Sequence, residues 1–104
     1  MLHRVKELQI ANRMNRVLKR HAIEIAHQIP GRIRLKSPIW KNNPRTVNPI
    51  IQQLRNETRI FSIEYTTETG SLIITYDNSP VDQMRQFESW VEQIERILIE
   101  GERQ

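Results

Sequence analysis

The stretch "AIEIAHQIPGRIRLK", Ala22 to Lys36, decides the fold. Ile23, Ile25, Ile29, Ile33 and Leu35 fall on one parity, with His27 in the same series. Glu24, Gln28, Arg32, Arg34 and Lys36 fall on the other. A period of two puts successive side chains on opposite faces of a strand, one toward a core and one toward water. The spacing predicts a single long strand over Ala22–Lys36. Pro30-Gly31 reads as a bulge or kink inside it, because proline has no N–H for a ladder and suits an edge.

Upstream the period changes. Val5, Leu8, Ala11, Met14, Val17 and Leu18 recur at three- and four-residue steps, which predicts a helix over residues 2–20. Arg4, Lys6, Arg13, Arg16, Lys19 and Arg20 fill much of the remainder, so this helix is basic and amphipathic. Its apolar stripe needs a cover: its own domain, a second copy or a membrane surface. The stripe holds no Trp or Phe, which favours protein. The chain divides on this reading into a helix, residues 1–21, and a domain, residues 22–104.

Downstream, "SPIWKNNP" is a loop. A helix over Pro44–Asn56 follows, with Val47, Ile50, Ile51 and Leu54 on its buried side and Asn43 as cap. Pro49 would remove a hydrogen bond inside it, which moves the expected start nearer Thr46–Asn48. Phe61, Ile63 and Tyr65, then the turn "TETG", then Leu72, Ile74 and Tyr76 read as a β-hairpin with those residues buried. A last helix opens at Ser79 or Asp82 and runs to about Ile99. Met84, Phe87, Val91, Ile94 and Leu98 form its stripe. After the first helix the order is β-α-β-β-α, which predicts an α+β fold of the ferredoxin-like kind, an antiparallel sheet with two helices on one face. No strand follows Gly101 to serve as the usual fourth.

At 104 residues one domain is expected. The absence of Cys excludes thiolate metal sites, cysteine nucleophiles and CxxC redox chemistry, and fits a reducing compartment. With no apolar run long enough to span a bilayer and no secretory leader, the expected location is the cytoplasm, with attachment to a membrane surface open through the first helix. Charge is uneven. Residues 1–45 hold eleven Lys and Arg against two acids, and residues 46–104 hold five Arg against ten acids. Such asymmetry fits an anionic partner for the first half, a contact between unlike ends of two molecules, or two solvated helices.

"HQIPGRIRL", with "TETGSLIITYD" some thirty residues later, resembles the second heavy-metal-associated family, domains found alone in bacteria and ahead of the membrane segments of some P-type metal-transporting ATPases. The family pattern H-x-I-P-G-R-[IV]-R is similar to His27, Ile29, Pro30, Gly31, Arg32, Ile33 and Arg34. The pattern T-G-[SR]-[LV]-x-[IV]-x-Y is similar to Thr69, Gly70, Ser71, Leu72, Ile74 and Tyr76. The resemblance covers about residues 22–98, with residues 1–21 outside it. It implies a ferredoxin-like fold and a setting near metal transport or storage. It does not supply a metal site: the two cysteines that bind soft metal in copper-chaperone domains are missing, and Arg32, Arg34 and Lys36 stand in that region.

Arg32, Arg34 and Lys36 would share one strand face about 6.6 Å apart, and guanidinium forks suit carboxylate and phosphate oxygens. With Arg13, Arg16 and Arg20 of the helix, they are the expected partner-binding residues. The leading expectation is a non-enzymatic accessory module of metal homeostasis that docks an acidic or phosphate-bearing partner and self-associates as a dimer. No nucleophile stands beside a base, no phosphate-cradling glycine loop occurs, and no resident cofactor is expected. One alternative is a direct iron or haem carrier using His27; the bland reading of that residue is a partly buried histidine on an apolar face. His3 and His21 could add ligands, although His21 would lie about 20 Å from His27 along a strand. A second alternative is backbone-only nucleic-acid binding, disfavoured because no aromatic falls on the open-face parity.

Overall fold

The computed structural model describes residues 12–79 and 83–102, apart from the side chains of Gln83, Met84 and Glu102. The expectations for His3, Val5, Leu8, Ala11 and Met84 lie outside the described residues. Over the described residues the chain is α+β, with three helices and a four-stranded antiparallel sheet. The elements are α1 (residues 12–20), β1 (Glu24–Ile29), β2 (Arg32–Lys36), a 3-10 turn (Pro38–Trp40), α2 (Pro44–Arg55), β3 (Ile60–Thr66), β4 (Ser71–Tyr76) and α3 (Gln83–Glu102). The sheet order is β1-β2-β4-β3.

The expected single strand is two strands. Pro30-Gly31 is the two-residue turn of a hairpin, with Ile29 paired to Arg32. Gly31 has φ +82°, the left-handed value that the third position of a type II turn requires, and proline suits the position before it. The irregularity lies elsewhere, at a β-bulge between Ile25 and His27. β1 thereby supplies the fourth strand of the sheet, from the N-terminal side and beside β2.

The buried faces of β2 (Ile33, Leu35) and β4 (Leu72, Ile74, Tyr76) meet Val47, Ile50 and Leu54 of α2 and Phe87, Trp90, Val91 and Ile94 of α3 in one core. Met14 and Leu18 of α1 belong to the same core, Leu18 being 2% exposed. Each such burial contributes roughly 1.5–3 kcal/mol. Tyr76, Phe87 and Trp90 pack edge to face with ring centroids 5.2–5.6 Å apart, which ties β4 to α3.

α1 ends in a Schellman motif. Ile23 N–H donates to Leu18 C=O at 2.8 Å and Ala22 N–H to Lys19 C=O at 3.0 Å. Ala22 takes the left-handed position at φ 61°, where glycine is usual. Leu18 and Ile23, the hydrophobic pair of that motif, are both buried. This stop swings the chain from α1 into β1.

α2 starts at Pro44 with Pro49 inside it, so the later expected start is corrected. Asn43 flanks the helix without a side-chain cap; its Nδ2 donates instead to Ile39 C=O at 3.2 Å. Phe61 is also corrected. It lies in a bulge of β3 between Ile60 and Ser62 and is 69% exposed rather than buried. Both edge strands therefore carry a bulge, a device that discourages edge-to-edge pairing.

Candidate functional site

The bulge at Ala26 sets the composition of the face opposite the helices. Ile25 pairs with Leu35 and points to the core side; one residue later the register has shifted, and His27 pairs with Arg34. His27 and Ile29 thus leave the apolar series and join Arg32 and Arg34 on the outer face. His27 is exposed, not partly buried, and Ile29 is 45% exposed.

Three rows cross this face. Glu24, Lys36, Ser71 and Thr66 form one. His27, Arg34, Ile73 and Glu64 form the middle row, and Ile29, Arg32, Thr75 and Ser62 the third. Side chains directly opposite stand about 4.5–5.5 Å apart at Cβ. Lys36 therefore faces an acid, Glu24. Arg34 is separated from Glu64 by Ile73. Arg32 and Arg34, with His27 opposite Arg34, form the basic centre. Among the described residues the side chains of His27, Arg32 and Arg34 have no hydrogen-bond or ion-pair partner.

The cations of α1 are elsewhere. α1 lies on the helix side of the sheet, so Arg13, Arg16 and Arg20 do not form one surface with Arg32, Arg34 and Lys36. Arg13 pairs with Glu88. Arg20 stands 3.6 Å from Glu95, and His21 Nε2 lies 3.2 Å from the same carboxylate. Part of the charge asymmetry between the two halves of the chain is accordingly met within the fold, as α1 rests on α3. Arg16 is exposed on α1.

The motif glycines have structural roles. Gly70, at φ +67°, sits under the junction of β2 and the 3-10 turn; a Cβ there would overlap the Ser37 carbonyl oxygen and stand 3.0 Å from the Lys41 nitrogen. Ser37 N–H donates to Gly70 C=O at 3.0 Å. Tyr65 Oη donates to Trp40 C=O and accepts from Asn43 N–H, which fastens the same corner. Gly31 C=O accepts from Tyr76 N–H at 2.9 Å. Once these roles are assigned, the polar motif residues with no structural partner are His27, Arg32 and Arg34.

No three of His, Cys, Asp and Glu gather around a potential cation position among the described residues. A cleft of about 540 Å³ opens on the helix side between Arg20, His21, Ile39, Arg45, Pro49 and Leu98. Two of its basic residues, Arg20 and His21, already face Glu95. Among the described residues no helix is long and apolar enough to cross a membrane.

Sequence reasoning placed Arg32, Arg34 and Lys36 on the outer face and missed His27 and Ile29 beside them. The available signal was a histidine interrupting an isoleucine series next to Pro-Gly. Comparison with protein families gives a match to heavy metal associated domain 2 over residues 10–99. The match takes in α1, which the resemblance in the sequence had left outside. No curated protein and no solved structure matches the chain.

Proposed function

The chain belongs to the heavy metal associated domain 2 family, and from that premise we propose that it is a non-catalytic accessory module of metal homeostasis or transport that docks an acidic partner on its open sheet face. Domains of this type are generally non-catalytic modules for metal binding or interaction. The layers read as a ferredoxin-like sandwich in which β1 replaces the strand that would otherwise follow α3.

The residues present do not suit a bare heavy-metal ion. The chain has no cysteine, and His27 stands beside two guanidinium groups that repel a free cation. The observation that carries the docking reading is the pair Arg32 and Arg34, exposed on one strand and unpartnered among the described residues. Guanidinium groups without an internal carboxylate can accept one from outside, bidentately. α1 takes little part in this reading, because Met14 and Leu18 are already covered by the protein's own core.

A fluorescein-labelled oligoglutamate peptide tests it by anisotropy. Wild type should bind with an affinity that falls as salt rises, and Arg32→Glu with Arg34→Glu should weaken binding about tenfold or more, the size of one to two lost charge-assisted contacts. Equal binding by the two proteins would refute docking at this face.

A further inference from the structure

From the same face we infer a more specific ligand: an iron porphyrin carrying carboxylates, held through His27. The inference rests on the reading that this face takes an anionic partner, and it names the class.

One imidazole, with no second ligand gathered nearby among the described residues, does not make a site for a hydrated cation. The adjoining Arg34, directly across from it, and Arg32 in the next row disfavour a bare cation further. Those objections vanish when the metal arrives already held by four ring nitrogens. Such a metal needs one axial ligand from the protein, and a neutral imidazole is a common one. The ring also brings its own carboxylates, so the guanidinium groups that repel a free ion become the groups that receive it.

The rest of the face agrees. Ile29, 45% exposed, lies one row from His27, next to Arg32, and Ile73, half-buried, lies beside Arg34 on the far side from His27. These two isoleucines offer a flat macrocycle an apolar floor on either side of the arginines. Glu64, the nearest acid of the middle row, stands beyond Ile73 at the sheet edge, and Glu24 faces Lys36. The bulge at Ala26 makes the arrangement, since without the shift His27 would not face Arg34. His27 is thus an exposed ligand atom flanked by apolar and cationic groups, which is the pattern that a charged, metal-bearing ring complements.

Hemin titration of the full chain, followed by absorbance, tests this against the oligoglutamate peptide as a parallel ligand. Wild type should bind one hemin per chain with a shifted Soret band. His27→Ala should lose the shift and about tenfold or more in affinity, and Arg32→Ala with Arg34→Ala should weaken hemin but leave its dimethyl ester, which lacks free carboxylates, unaffected. All these side chains are exposed, so the variants keep the fold. Hemin binding unchanged in His27→Ala would overturn the inference as adventitious adsorption. Absent hemin binding with retained peptide binding would overturn it alone and leave the docking reading standing. Loss of both ligands in wild type would overturn both.

Discussion

The two motif glycines should differ in what they tolerate, and the difference can be worked from the backbone. Gly31 and Gly70 have similar left-handed φ values, +82° and +67°. An L-alanine at such a position is strained by about 1–2 kcal/mol, and the change from glycine returns about 0.4–1 kcal/mol through the unfolded chain. At Gly31 the nearest atom to an added Cβ is the Tyr76 carbonyl oxygen at 3.5 Å, an ordinary contact. Gly31→Ala should therefore cost about 1 kcal/mol. At Gly70 the methyl overlaps the Ser37 carbonyl oxygen and crowds the Lys41 backbone, neither of which is a flexible side-chain end. The hairpin tip must lift, endangering the Ser37 N–H to Gly70 C=O bond and the Asn42 N–H to Thr67 C=O bond, at about 0.5–1.5 kcal/mol each. Gly70→Ala should cost about 3 kcal/mol. Urea denaturation read by far-UV circular dichroism, with an unchanged slope, would give both values. Equal costs at the two sites would refute the claim that Gly70 is fixed by lack of space rather than by φ alone.

Leu18→Ala should destabilise by about 2–5 kcal/mol, as a core truncation does; a loss below about 1 kcal/mol by the same denaturation assay would mean that α1 is not part of the core. Ala22→Gly should stabilise by about 0.5 kcal/mol, because relief of the left-handed strain slightly exceeds the added freedom of the unfolded chain; thermal melts should rise by a few degrees, and a fall would argue against the Schellman stop. Asp77 is held below its ordinary value of 3.8 by hydrogen bonds from the Ser79 hydroxyl and backbone, with Arg59 adding to the effect. A depressed carboxyl stabilises the fold above its unfolded value, and that support is lost as pH falls through the folded one. Asp77→Asn should thus melt lower than wild type at neutral pH, with the gap closing below pH 3.8; a gap that persists in acid would assign it to something other than charge.

Most of the architecture was legible in the sequence because most of it obeys one period at a time. The α3 stripe and the β3–β4 hairpin, with its "TETG" turn, follow their spacing, apart from Phe61. The β1–β2 hairpin was concealed by two changes of face that cancel. A two-residue turn pairs Ile29 with Arg32 and so exchanges the parities; the bulge at Ala26 exchanges them back. Ile25 and Leu35 consequently share the core, and the alternation looks unbroken from end to end. His27 and Ile29 on the outer face, and Gln28 on the core side opposite Ile33, lie between the two exchanges and show that something happened. Pro-Gly favours a type II turn, whereas two-residue hairpins usually use mirror-image turns with Asn-Gly or Asp-Gly, so the dipeptide does not announce a hairpin. The ion pairs of α1 with α3 could not be read at all, since they join residues more than seventy positions apart.

The place of β1 also governs how the sheet assembles. A closing strand located after α3 would have to return across the whole domain to reach β2. Here it forms next door, through a two-residue turn. Two of the three strand pairings, β1 with β2 and β3 with β4, join neighbours in the chain, and each such hairpin can close in about 1–10 microseconds. Only the seam between β2 and β4 brings together distant segments. Loop closure at that seam is the slow search, so substitutions such as Ile33→Val or Ile74→Val should retard folding, whereas changes confined to β1 should mainly hasten unfolding.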